Sequence, residues 1–171
     1  MALEIKHTFD EETYRHYING HNFVLHCHHY ITLTTKMAED FADVGAVQVL
    51  REAAEDTIRP VLDSYFAEHK ITSPQERLTI GAEHYAFMGL GLMEVSGTAD
   101  GGEVRLKHTH VDEGWIKKWG QHNKPINHVT CGFVAAMFAA AFSRPARSYQ
   151  VTETASIVMG APESVLVVKA A

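Results

Sequence analysis

From Ile126 to Phe142 the chain reads as a helix by length, with apolar residues on nearly every side. A helix with no polar face cannot lie on a protein surface, so other elements must surround it. Its uninterrupted apolar part, Cys131 to Phe142, is 12 residues long. That falls short of the roughly 18–20 residues needed to cross a bilayer, so the helix is expected inside a folded domain and no transmembrane segment is expected. The other elements must supply the polar exterior.

Residues 22 to 42 carry Phe23, Cys27, Tyr30, Thr34, Met37 and Phe41 at spacings of four and three, which predicts a first helix. Residues 45 to 69 repeat the pattern with Val47, Leu50, Ala54, Ile58, Val61 and Tyr65, and Pro60 is expected to kink or restart that helix. Ser73-Pro74-Gln75-Glu76 combines a capping serine, a proline at the first helical position and a glutamate three residues after the cap. A third helix should start there and run to about Gly89. The period then changes: Leu92–Ser96 and Glu103–Val111, around the turn-rich Ala99-Asp100-Gly101-Gly102, read as a β-hairpin. Arg147–Val158 and Glu163–Lys169 read as a second. The expectation is an α+β fold, an antiparallel sheet of about four strands packed with helices, in one domain spanning residues 1–171.

Charge and cysteine content exclude several functions. With 15 Lys+Arg against 21 Asp+Glu and no basic run, the chain is a poor ligand for polyanions, so nucleic acid is not an expected partner, nor is a membrane. The N-terminus Met1-Ala2-Leu3-Glu4-Ile5-Lys6 carries an acid and a base where a signal peptide would be apolar, which suggests a cytoplasmic protein. Two cysteines, Cys27 and Cys131, are too few for a disulfide framework and remain available as ligands or small buried groups.

The unusual component is histidine, with 12 residues. At 100° per residue His26 lies within about 75° of the apolar side of the first helix, whereas His28 and His29 fall more than about 120° away. His26 and Cys27 are therefore expected to face inward, unless the His-Cys-His-His turn is a partly exposed polar face. On the strand, Val104, Leu106, His108 and His110 alternate onto one face, which sends both imidazoles toward the core. Two adjacent buried imidazoles need hydrogen-bond partners, such as backbone carbonyls at the strand end, a polar ligand or a metal ion. Glu153 alternates with Tyr149 and Val151 and poses the same problem as a buried carboxylate, unless it belongs to an exposed edge strand. His26, His108, His110 and Glu153 are thus candidate ligands for a divalent transition metal, Zn or Fe. Candidate contacts for an organic ligand are Cys27 and Tyr30 on the first helix, His84 on the third, and Trp115 in Gly114-Trp115-Ile116-Lys117-Lys118-Trp119-Gly120.

Cys131-Gly132-Phe133 opening the apolar helix, followed by Glu153-x-x-Ser156-x-x-x-Gly160-x-x-x-Ser164, resembles the C-terminal part of the 4-vinyl reductase domain, over about the last 40 residues. Members occur in bacteriochlorophyll synthesis, as hydrocarbon-binding proteins and as sensor domains of aromatic-responsive activators. The resemblance implies the fold shared with nitric-oxide-sensing and Golgi-transport domains, a homodimer, and a pocket for a small apolar or aromatic molecule. It also implies a zinc site in which Cys131 and Glu153 match two ligands, while Ser156 and Ser164 stand where two cysteines would be. Serine hydroxyls are poor zinc ligands. By order along the chain, His84 and Trp115 correspond to the ligand-contacting histidine and tryptophan of the sensors.

Three functional readings follow. The first is a stand-alone domain binding a small aromatic or hydrophobic molecule, or a tetrapyrrole-like one, in a histidine-rich and metal-containing pocket. The second is an enzyme whose metal, held by His and Glu ligands, acts on such a molecule. The third is a haem-binding sensor with one axial histidine.

Overall fold

The structure, a computed structural model, describes residues 2–171, the side chain of His28 excepted. It is an α+β fold with two antiparallel sheets. The first has the order β1-β2-β3, from β1 (His7–Asp10), β2 (Arg15–Ile18) and β3 (His21–Phe23). The second has the order β4-β5-β7-β6, from β4 (Gly91–Thr98), β5 (Gly101–Thr109), β6 (Tyr149–Ala155) and β7 (Ser164–Ala170). The helices are α1 (His28–Asp40), α2 (Ala46–Glu68), α3 (Pro74–Phe87), α4 (His110–Trp119) and α5 (His128–Ala141).

The apolar helix α5 has the place its composition requires. Phe133, Val134, Ala136, Met137 and Phe138 are all buried, in one core with Leu62 of α2, Tyr85 of α3, Val104 and Leu106 of β5, and Leu166 of β7. At Gly132, α5 approaches α2 so closely that a Cβ would sit 2.1 Å from the Arg51 carbonyl oxygen, which is why glycine follows Cys131. Helix α3 begins as its sequence predicts: Ser73 is the N-cap, its hydroxyl accepting from the Glu76 N–H, with Pro74 in the first turn.

Three local expectations are corrected. The first helix starts at His28 rather than near residue 22, because Tyr17-Ile18 and His21-Asn22 close a hairpin through Asn19-Gly20. Both turn residues have positive φ, 48° and 80°, which matches a two-residue turn that fits the twist of the paired strands. Pro60 does not restart α2, which runs on to Glu68. Pro60 and Asp56 both lie on the exposed side of α2, where water can meet a carbonyl that loses its N–H partner to proline.

The third correction concerns β5. Gly91 pairs with Thr109 while Met93 pairs with Leu106, so β5 carries one extra residue in this stretch. Such a bulge reverses the alternation beyond it. Lys107 and His108 both point to solvent, Thr109 turns inward, and the strand ends there. His110 opens α4 instead of continuing the strand.

Candidate functional site

A cavity of about 670 Å3 opens between the end of the first sheet, α1, α2, the C-terminal end of α3, and α5. Its walls are mainly apolar, including Phe23, Ile31, Leu50, Phe87, Leu90 and Phe133. This volume lies in the range of sites that hold small organic molecules, about 300–1,000 Å3. Val24, Leu25, His26 and Tyr30 also line it and are exposed, so they form its mouth.

Beside this cavity sits His84, in the last turn of α3 and 1% exposed. Its ring is 6.4 Å from that of Phe23 and 6.5 Å from that of Phe87, both cavity residues. Neither ring nitrogen has a hydrogen-bond partner among the described residues. Burial, with a smaller contribution from the nearby His21, pushes its pKa down to about 4, so the ring is neutral at pH 7. A neutral imidazole carries one donor and one acceptor, and leaving both unmet in the interior costs about 1–3 kcal/mol per group. Such a group calls for an explanation, and a ligand with its own polar atom supplies one.

A second polar region lies where α4 and α5 begin against β6 and β7. Asp112 is fully buried. Its Oδ2 accepts from Thr109 Oγ1 at 2.8 Å, Asn127 Nδ2 at 2.8 Å and Ser164 Oγ at 2.8 Å. Its Oδ1 accepts from Ser156 Oγ and the Val158 N–H, each at 3.3 Å. Asn127 joins Asp112 to Glu153, donating Nδ2–H to Glu153 Oε1 at 2.8 Å and its backbone N–H to Oε2 at 3.1 Å. Burial raises the Glu153 pKa above the usual carboxylate range, against the pull of its hydrogen bonds from Asn127 and Ser156. Every polar side chain in this cluster has a partner.

This cluster holds the residues that the resemblance would assign to zinc, and they do not fit one. The Ser156 and Ser164 hydroxyls are committed to Asp112, Glu153 is committed to Asn127, and burial pushes the Cys131 thiol up to about 12, far from the thiolate that binds metal. The set His26, His108, His110, Glu153 and Cys131 is not brought together either. His26 lies in the extended segment before α1, exposed, with its Nδ1 3.0 Å from the Cys27 carbonyl oxygen. The His108 side chain is 81% exposed and stands 3.1 Å from Glu113, turned outward by the bulge. His110 is at the start of α4, while Glu153 and Cys131 are in the interior. Among the described residues no group of three His, Cys, Asp or Glu is disposed to hold a metal ion.

Of the expected ligand contacts, Tyr30 lines the mouth of the cavity, and His84 packs near two lining residues, Phe23 and Phe87, without lining the cavity itself. Cys27 is exposed, not inward, because it precedes the helix on which it was placed. Trp115 is buried in a separate small cluster with Val111, Ile126 and Val158, its ring 4.8 Å from Trp119 and 4.9 Å from His122. Ile31 packs against both this cluster and the main core, so one apolar side chain lies between Trp115 and the cavity wall.

A further ion cluster escaped the sequence reading. The Glu39 side chain, 6% exposed, meets Lys124 Nζ at 2.5 Å and His128 Nε2 at 2.6 Å. Burial pushes its carboxyl up, but hydrogen bonds and charge from Lys124 and His128 outweigh this and hold it below its usual range. Burial pushes His128 down, so the pair is a carboxylate accepting from a neutral imidazole. This ties α1 to the start of α5.

No family model and no curated relative matches the chain. Among solved structures it is similar to the phenol-responsive sensory domain of the transcription activator PoxR, in complex with phenol. The TM-score is 0.78 at 12% identity, over 96% of this chain and 84% of that one. It is also similar to trafficking protein particle complex subunit 3 from Naegleria fowleri, covalently bound to palmitic acid. There the TM-score is 0.53 at 15% identity, over 84% of this chain and 91% of that one. At these identities the likeness shows a shared fold. No helix of the described residues is long and apolar enough to cross a membrane.

Proposed function

We propose that this chain is a ligand-binding domain of the 4-vinyl reductase type that takes a small neutral aromatic molecule with one hydroxyl, of the phenol class, in the cavity beside His84. Assembly as a homodimer is part of this reading. The observation that carries it is the unpartnered, neutral imidazole of His84 next to an apolar cavity of about 670 Å3. A hydroxyl can donate to the unprotonated ring nitrogen or accept from the protonated one, while the aromatic body fills the space among Phe23, Phe87 and Phe133. A phenol, with a pKa near that of tyrosine at about 10, enters uncharged at pH 7 and carries no ionic desolvation penalty. The fold shared with a phenol-responsive domain supports the same chemistry.

The test is calorimetric titration of the full chain with phenol and with toluene, which has the same ring and no hydroxyl. One phenol per chain is expected, with toluene at least about tenfold weaker, one hydrogen bond being worth about 1.4 kcal/mol in such a site. The His84→Leu variant should bind the two equally. Equal binding of phenol and toluene by the unaltered protein, or no binding of either, overturns the reading.

A further inference from the structure

A second cavity, of about 440 Å3, opens between α2, α5 and β6, and much of its lining is polar: Gln48, Arg51, Glu52 and Glu55 of α2, Arg147 before β6, and Thr152 of β6. Four of these side chains are charged, and two of them answer one another. Arg147 donates its backbone N–H to Glu55 Oε1 at 2.7 Å, its Nη1 stands 3.0 Å from Glu55 Oε2, and both of its terminal nitrogens reach Asp56 at 2.8 Å. Arg51 and Glu52 differ. Among the described residues Arg51 has no carboxylate in contact: Nη1 donates to the Val151 carbonyl oxygen and Nη2 to His128 Nδ1, both at 3.4 Å, and the buried Nε meets no acceptor. These contacts are longer than the roughly 2.7–3.2 Å of an ordinary N–H···O bond. Glu52 accepts from Gln48 Nε2 at 2.7 Å and touches no cation; its charge reaches Arg147 only across a gap. One cation and one anion, both half-buried and both lining the same cavity, are thus left without a contact of opposite charge.

We propose that this cavity is a second binding site, for a small zwitterion of the amino-acid class, which sets its carboxylate on the terminal nitrogens of Arg51 and its ammonium on Glu52. A guanidinium presents its donors in a planar fork that grips a carboxylate through two parallel bonds, and a half-buried guanidinium held by two long contacts has such bonds still to make. An ammonium has three donors and no acceptor, which suits the carboxylate of Glu52. A simple anion would gain Arg51 but face Glu52, and a simple cation would gain Glu52 but face Arg51; only a ligand with both charges leaves each side chain with an opposite partner. The volume lies within the range of about 300–1,000 Å3 for small-molecule sites and leaves room for an amino-acid side chain. This cavity and the apolar one lie on different sides of the α2–α5 pair and share no lining residue, so neither ligand depends on the other for its contacts.

The test is a thermal-unfolding panel of the full chain at pH 7 with each standard L-amino acid at about 10 mM, followed by calorimetric titration of those that stabilise it. At least one amino acid is expected to raise the unfolding midpoint by about 2 °C or more. Acetate and methylammonium, which carry one of the two charges each, should bind at least about tenfold more weakly than that amino acid. Glu52→Gln keeps the side-chain volume at a half-buried position and should lower the amino-acid affinity at least about tenfold, with the circular dichroism spectrum unchanged and any phenol binding within about twofold. Arg51→Gln should lower it at least as much; if that variant fails to fold, the result at Glu52 decides. No stabilisation by any amino acid overturns the site. An affinity that Glu52→Gln leaves unaltered overturns it too, since the amino acid then binds elsewhere. Acetate that binds as tightly as the amino acid overturns the zwitterionic ligand.

Discussion

Two of the places where the molecule buries polar groups treat them in opposite ways. Around Asp112, five donors converge on one carboxylate, from Thr109 at the end of β5, Asn127 just before α5, Ser156 and Val158 between β6 and β7, and Ser164 at the start of β7, and Asn127 extends the network to Glu153. At His84, neither ring nitrogen meets a donor or acceptor among the described residues. The first arrangement fixes where two helices start against the sheet and leaves nothing for a ligand to satisfy. The second leaves an unmet donor and acceptor next to an apolar space. Burial of a polar residue is thus by itself uninformative about function; what decides is whether the protein has already answered its hydrogen bonds.

Substitutions should separate the two regions by size and kind of effect. The largest loss is expected for Asp112→Ala, which removes the acceptor that five donors share in the interior: about 3–5 kcal/mol of unfolding free energy, read from urea denaturation. A loss below 1 kcal/mol would mean that water reaches the cluster.

Next comes pH. The folded-state pKa of His84 is pushed down to about 4 from an ordinary 6.5, so the unfolded chain takes up the proton first as pH falls. Stability is therefore full above about pH 6.5 and is lost progressively down to about pH 4, by about 3 kcal/mol. His84→Leu should remove this component, measured as the difference between the two proteins' denaturation midpoints across that range. His128, also pushed down, acts in the same direction in both proteins and cancels in the difference.

A smaller effect is expected for Glu153→Gln. It keeps one acceptor for Asn127 and loses the other, at a cost of about 1–2 kcal/mol at pH 7 and less in acid, where the native carboxyl is already protonated because burial raises its pKa. Smallest of all, Trp115→Phe should leave phenol affinity within about twofold in calorimetry, since Trp115 lies in its own cluster behind Ile31. A large loss there would place the ring in the ligand site and erase the distinction between the regions.

What could be read from the sequence follows the range of the forces involved. The all-round apolar run of α5, the cap at Ser73 and the two hairpins of the larger sheet are local patterns, and the structure has them. The inward placement of His108 failed because one extra residue in β5 reverses its parity, and no local pattern announces the bulge. The early hairpin was signalled by Asn19-Gly20, yet the helical stripe of residues 23 to 41 concealed it. The same stripe exists on α1 from Tyr30 onward but faces outward, because which side of a helix meets the core depends on what packs against it. Asp112 lay in plain view as the acidic residue three positions after the N-cap Thr109. Its five partners, drawn from residues up to 52 positions away, were not visible.

The most direct measurement is the nitrogen chemical shift of the His84 ring in a selectively labelled protein, followed from pH 8 to pH 4 with and without phenol. The account predicts a neutral ring that titrates near 4 and a shift of one ring nitrogen, the hydrogen-bonded one, as phenol saturates. A ring that titrates near 6.5, or one that stays unchanged while phenol binds elsewhere, would contradict it.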